Sequence, residues 1–154
     1  MNLESYISGY VDGEGCFCIS IRPRKKNKIC WEVVAGFSVA QNENRAEVLG
    51  LMKDYFDCGF IRRNTGDNTL KYETRNLDSL LTKIIPHFEK YPLQSGKQKD
   101  FEIFKTVCQR MKQKEHLTKK GIIEIMDLVS VMNFSGKRHY DKNTILNSFD
   151  KMKI

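Results

Sequence analysis

Apolar positions in the first fourteen residues fall on two stripes of one helix. Leu3, Ile7 and Val11 mark the first; Tyr6, Gly9, Tyr10 and Gly13 mark the second. Two contact-type stripes predict a helix packed on two sides, and the spacing of Gly9 and Gly13 would let another helix approach closely. From Gly15 the period changes to 2. "CFCISIR" sets Phe17, Ile19 and Ile21 on one face and Cys18, Ser20 and Arg22 on the other. After a basic loop, "ICWEVVAGFSVAQ" repeats the alternation, with Trp31, Val33, Phe37 and Val39 inward and Glu32, Val34, Gly36 and Ser38 outward. Helical spacing returns over 44–57 through Val48, Leu49, Met52, Tyr55 and Phe56. "CGFIRRN" and "LKYETRN" flank the turn signal Asn64-Thr65-Gly66-Asp67-Asn68 and predict a hairpin. Leu77, Leu80, Leu81, Ile84, Ile85 and Phe88 form a further helical stripe, expected to be interrupted at Pro86.

Residues 3–93 thus predict helix, strand, strand, helix, strand, strand, helix: an α+β class with a four-stranded antiparallel sheet. Residues 97–154 predict a helical part, with helices over 97–113, 118–132 (Thr118 as N-cap) and 143–153. A chain of 154 residues is long enough for one domain, spanning 1–154, with a proper core. No repeat and no low-complexity segment divides it.

Charge changes the picture. Lys and Arg number 26 against 19 Asp and Glu, a net +7 that points to an anionic partner, nucleic acid or a membrane surface. No apolar run approaches the roughly 20 residues a membrane span requires, and no signal-peptide pattern opens the chain, so no membrane partner is expected. Five scattered cysteines without a C-x-x-C pair predict buried thiols in a reducing, intracellular compartment. His87-Phe88-Glu89 matches half of a zinc deaminase signature whose P-C-x-x-C half is missing.

The positive residues cluster on strands or their loops: Arg22, Arg24, Lys25, Lys26, Lys28, Arg62, Arg63, Lys71 and Arg75, with Ser20, Glu32, Ser38 and Asn64 as shorter polar groups. Side chains on a strand ribbon can distinguish base-pair edges in the major groove, while loop cations neutralise phosphates. Any one of these residues is accounted for by a solvated sheet face. The whole set predicts a face turned to DNA.

One stretch breaks a local rule. "YISGYVDGEG" ends a helix with Asp12 and Glu14, where backbone carbonyls already make the end electronegative. An ordinary reading is a glycine C-cap at Gly15 with solvated acids around it; a functional reading is a site that needs acid there.

"ISGYVDGEG" resembles the signature nonapeptide of LAGLIDADG homing endonucleases, with Gly9, Asp12, Gly13, Glu14 and Gly15 in register. "FSVAQNENR", "YPLQSGKQKDFEIFK" and "EHLTKKGIIEIMDLVSVMN" are similar to later segments of that family, so the resemblance covers roughly residues 3–140. It implies the family's fold, a saddle-shaped four-stranded antiparallel sheet backed by helices, with extra C-terminal helices. It implies a metal-dependent nuclease that cuts both strands of a long, roughly palindromic DNA site and leaves short 3′ overhangs. By that resemblance Glu14 matches the metal-binding carboxylate and the Gly13 carbonyl a nearby ligand, with Mg2+, or another divalent cation such as Mn2+, as cofactor. Gln41 matches a solvent-positioning glutamine. Arg45 and Lys97 match peripheral basic residues that stabilise charge on the phosphate. Asp12 is expected to be structural. Base-contacting positions by analogy are Cys18, Ser20, Arg22, Arg24, Glu32, Ser38, Arg62, Asn64, Lys71 and Glu73, with Lys25, Lys26 and Arg75 also on the DNA side. Val34 and Gly36 stand where polar readers are common. A single signature implies a homodimer with Tyr6, Gly9, Tyr10 and Gly13 at its seam and no small-molecule substrate. Bacterial cytoplasm or an organelle, chloroplast or mitochondrion, is the expected setting. An intron RNA maturase and a non-cleaving DNA-binding regulator are the alternatives on the same fold; the retained Glu14, Gln41 and Lys97 favour the nuclease.

Overall fold

The computed structural model of the chain describes residues 1–132 and 138–152. Helix α1, Leu3–Glu14, starts at Asn2, whose Oδ1 accepts the Ser5 N–H at 2.8 Å. It runs straight into strand β1, Gly15–Pro23. A Cβ on Gly15 would stand 2.5 Å from Val11 Cγ1 and 2.8 Å from Val11 O, so only glycine lets the strand leave the helix this tightly. Gly15 is extended (φ −82°, ψ 162°). The helix therefore ends by becoming a strand, and the left-handed glycine cap is not what is built.

Strand β2, Trp31–Asn42, pairs antiparallel with β1, and β3 (Phe60–Arg63) and β4 (Thr69–Thr74) complete a sheet of order β1-β2-β4-β3. The register pairs Phe17 with Phe37, Ile19 with Ala35, Val39 with Tyr72 and Ile61 with Tyr72, so the predicted inward sets share one face. Gly59 (φ 75°) lets β3 begin pressed against β4; a Cβ there would lie 2.6 Å from Glu73 O.

Helix α2, Glu47–Phe56, starts later than its stripe suggests because a 3-10 turn, Glu43–Arg45, precedes it. Helix α3 is continuous from Leu77–Ser79 through a π turn, Leu80–Ile84, into Ile85–Lys90. Pro86 does not interrupt it. The Ile85 N–H bonds Leu80 O, a wider i to i−5 step. That step sits just before the ring, where a proline without an N–H would otherwise break the ladder. Helix α4 is Lys97–Lys112, and α5 is Lys119–Val129, capped by Thr118 Oγ1 on the Gly121 N–H at 3.0 Å. Helix α5 stops short of the predicted 132, and Arg138 Nη2 donates to its last carbonyl, Val129 O, at 2.6 Å. Helix α6, Lys142–Lys151, is capped by Asp141 on the Thr144 N–H. Asn133, which closes the last resembling segment, and Lys153, the expected end of the third C-terminal helix, lie outside the described residues.

Phe17 centres the core, its ring 5.2–5.3 Å from those of Phe37, Phe88, Phe101 and Phe104. Strands β1 and β2 and helices α3 and α4 thus share one aromatic cluster, and the buried side chains of both chain halves join a single core. One polar network lies beneath α1. Ser8 Oγ donates to Tyr91 O at 2.6 Å, so His87 Nε2 donates to Ser8 Oγ (3.1 Å) and His87 Nδ1 accepts from the Tyr55 hydroxyl (2.9 Å). Among the described residues no helix is long and apolar enough to cross a membrane.

Candidate functional site

The C-terminal end of α1 gathers most of the residues the sequence singles out. Glu14 is exposed at the last helical position. The Gly13 carbonyl beside it falls in the final turn, beyond the intrahelical ladder. Lys97, at the start of α4, crosses to this end and donates from Nζ to Val11 O at 2.9 Å. A cation on a terminal helix carbonyl offsets the negative end of the dipole, part of the compensation that acid at this place requires. Gln41, near the end of β2, donates from Nε2 to the Tyr10 hydroxyl at 2.5 Å and accepts the Asn42 N–H on Oε1 at 2.8 Å. Arg45 is exposed on the 3-10 turn, and among the described residues no hydrogen bond or ion pair ties it to this cluster.

Asp12 points elsewhere. Its carboxylate accepts the Gln94 N–H at 2.9 Å and the Ser95 N–H at 3.0 Å, and the Ser95 hydroxyl as well. Desolvation would raise its pKa, but these bonds outweigh it and hold the acid below its ordinary value. Asp12 thereby anchors the loop that delivers Lys97, whose own N–H bonds Ser95 Oγ at 3.1 Å.

The open side of α1 carries Tyr6, Gly9 and Gly13, all exposed. A Cβ on Gly9 or Gly13 would meet nothing within 4 Å. Tyr10 is half-buried, its ring 6.1 Å from that of Tyr6. Its hydroxyl accepts from Gln41, which ties the predicted seam to a predicted site residue.

The outer face of the sheet holds the predicted DNA-side residues, and many of them are already paired. Glu32 accepts from Arg22 Nε at 2.8 Å and from Arg24. Glu73 is only 5% exposed, with Arg62 Nε at 2.7 Å and Arg75 and Lys71 at 3.5 and 3.7 Å. Three cations thus surround a carboxylate that is almost wholly covered. Asn64 is likewise engaged, by Arg62 Nη1 and Thr69 Oγ1. Cys18, Ser20 and Ser38 lie on this face, with Lys25 and Lys26 exposed on the loop beyond it. Two residues went unnoticed in the sequence. Phe60 is 50% exposed on this face, and strand parity opposite inward Ile61 was the signal for it. Arg138 donates to Ile19 O on the free edge of β1 at 3.0 Å, a long-range bond that no local pattern announces.

As potential metal donors, Glu14 and Gly13 offer the hard oxygens magnesium prefers. Among the described residues no three His, Cys, Asp or Glu side chains form a metal-holding group.

The family model described as LAGLIDADG endonuclease matches residues 7–108. Probable intron-encoded endonuclease 2 of Neurospora crassa is 36% identical over 131 residues, which cover 84% of this chain and 29% of that protein. The crystal structure of the homing endonuclease I-TnaI is similar with a TM-score of 0.82 at 29% identity, covering 96% of each chain. The I-LtrWI LAGLIDADG homing endonuclease bound to target DNA has a TM-score of 0.83 at 34% identity, covering 97% of this chain and 57% of that one. The chain spans about a quarter of the length of the first curated relatives it matches. With the family model covering most of its length and the fold matching throughout, the chain belongs to the LAGLIDADG endonuclease family.

Proposed function

We propose that the chain is a site-specific DNA endonuclease that makes a double-strand break with short 3′ overhangs in a long, roughly palindromic target. The carrying observation is Glu14, exposed at the end of α1 and without an ion pair or hydrogen bond from its side chain among the described residues, with Lys97 and Gln41 both tied to the same helix. A carboxylate left unspent at an unfavourable helix end favours cleavage over a maturase or a regulator, neither of which requires it. The basic outer face of the sheet supplies the DNA-binding surface.

Hydrolysis adds a water oxygen to phosphorus, breaks the P–O3′ bond and leaves a 3′-hydroxyl and a 5′-phosphate. Magnesium, or another hard divalent cation such as manganese, held by Glu14 and the Gly13 carbonyl would offset the charge that builds on the phosphate oxygens. The ammonium of Lys97 spends one of its three N–H groups on Val11 O and keeps two for a phosphate. Gln41 has one amide N–H left to orient a water, because Tyr10 and Asn42 fix the rest of its amide. Arg45, exposed on the 3-10 turn, would serve as a peripheral cation.

One chain brings one such helix end, and two strands need two. A second copy packed on the Tyr6–Gly9–Gly13 side of α1 would bring the second carboxylate beside the first and fill the space the glycines leave open. Intron-encoded relatives support an intron-encoded origin, in an organelle or a bacterial cytoplasm.

Digestion of mixed organellar and bacterial DNA with magnesium, followed by sequencing of the new ends, is expected to give recurrent cuts at one roughly palindromic sequence. Glu14→Gln should abolish the cuts while binding to that sequence in calcium persists, and the bound protein should have twice the 18.0 kDa chain mass. Cutting by Glu14→Gln removes Glu14 from the metal site. Binding by the wild type with no cuts anywhere makes the chain a regulator or maturase.

A further inference from the structure

Two arginines on the outer face of the sheet are held in the same way. Arg22 Nε donates to Glu32 at 2.8 Å across the β1–β2 pair, and Arg62 Nε donates to Glu73 at 2.7 Å across the β3–β4 pair. In both pairs the carboxylate lies low and the guanidinium high: side-chain exposure is 19% and 6% for the acids against 51% and 41% for the arginines. Asn64 Oδ1 adds a second hold on Arg62, accepting from Nη1 at 3.1 Å. Asn64 is itself fixed by its bond to Thr69 Oγ1 at 2.7 Å.

A bond at Nε fixes the plane of a guanidinium and leaves donors on its outer edge: both Nη groups on Arg22, and on Arg62 the Nη2 group with the second N–H of Nη1. That edge matches the N7 and O6 acceptors of guanine in the major groove. An arginine already fixed loses less rotamer freedom on contact, so more of the contact appears as discrimination. The acids are badly placed to read a base themselves. Glu73 has one oxygen on Arg62 and the other between Lys71 and Arg75, and it is almost wholly covered. Glu32 has one oxygen on Arg22 and the other on Arg24. Each acid also relieves the repulsion between the cations gathered above it.

We propose that Arg22 and Arg62 each read a guanine in the major groove of the DNA half-site, and that Glu32 and Glu73, with Asn64 beside Arg62, are positioning residues that do not touch the bases. This rests on the reading of the chain as a DNA endonuclease, and it reassigns three residues that the resemblance places against bases.

The test begins with selection of a binding sequence from a randomised DNA pool in calcium. Each guanine of the selected site is then replaced singly by 7-deazaguanine, which pairs normally but lacks the N7 acceptor. In the wild type, two guanines per half-site should each lose about tenfold or more in affinity on replacement. Arg22→Ala should remove the sensitivity at one of them and Arg62→Ala at the other. Glu73→Gln should keep guanine as the preferred base at the Arg62 position while narrowing its preference over adenine severalfold, a ratio read within the variant so that any change in its stability or in its non-specific affinity cancels. Guanines insensitive to the replacement, or a sensitivity that survives both arginine variants, overturns the assignment. A Glu73→Gln protein whose base preference changes identity makes Glu73 itself the reader, and an unchanged preference removes its positioning role. The 7-deazaguanine series on the wild type decides the arginines even if Glu73→Gln fails to fold. A pool from which no sequence is enriched overturns the endonuclease reading beneath this one.

Discussion

The inner face of the sheet presents Phe17, Phe37 and Tyr72, fully buried, to rings 5.2–6.5 Å away, while the outer face of the same strands presents Arg22, Glu32, Arg62 and Glu73 joined in ion pairs. Inner contacts are non-directional and excluded from water, so each buried ring contributes heavily to stability. The outer pairs have their cations largely in solvent, where ion pairs contribute little net. A chain with this division is free to vary its outer face for recognition without unfolding, provided the inner face stays intact.

The largest test of that division is Phe17→Ala. Phe17 touches rings from β2, α3 and α4, so its loss should cost about 3–5 kcal/mol, read as a lowered midpoint in urea unfolding. Lys71→Ala on the outer face of β4 should stay within about 0.5 kcal/mol. An equal cost at Lys71 would mean that the ion pairs hold the sheet together, and the contrast between the faces would fail.

The same contrast explains what was legible in the sequence. Period-2 alternation placed Phe17, Ile19, Val33, Phe37 and Val39 on the inner face because burial imposes that period. The turn at Asn64–Asn68 and the cap at Thr118 were equally visible, each being a local chemical need. Pro86 was misjudged because a π turn is a tertiary accommodation with no sequence mark at Leu80–Ile84. At the candidate site, the cluster at the end of α1 was legible only through the signature and its companion segments. The bond from Lys97 to Val11 O joins residues 86 apart in the chain, and periodicity says nothing at that distance. On the outer face parity showed which residues share the surface. It did not show that Glu32 and Glu73 lie beneath their arginines, because side-chain height above a sheet has no period.

Titration separates the two faces further. His87, bonded to Ser8 and Tyr55, is pushed by burial from 6.5 down to about 4. The unfolded chain therefore takes up the proton first as pH falls. The stability this residue protects is complete above pH 6.5, erodes below it and is gone near pH 4, a loss of at most about 3 kcal/mol. On the outer face, burial works to raise Glu32 and Glu73, but hydrogen bonds and charge from the arginines outweigh it and hold both below the ordinary 4.5. Their contribution is present above 4.5 and is lost only as pH falls further. Urea unfolding at pH 7.5 and 5.5 should thus show a loss that belongs to the inner side. His87→Gln should remove its share of the loss, leaving the slope from His116, whose pKa burial also lowers. A loss unchanged in His87→Gln would place the titrating group elsewhere.

The smallest effect on the fold is expected in the loop between β1 and β2, where Lys25 is exposed and has no hydrogen bond or ion pair among the described residues. Lys25→Ala should leave stability within about 0.5 kcal/mol. A lysine that meets only a phosphate contributes to affinity through counterion release, so the slope of log affinity against log salt should fall by about one for each copy bound. Base preference in a selected pool should not change at any position. Against Arg62→Ala, which is expected to erase one guanine preference, this variant divides the outer face itself into cations that position the DNA and cations that read it. A base preference altered by Lys25→Ala would move the loop from the phosphates into the groove.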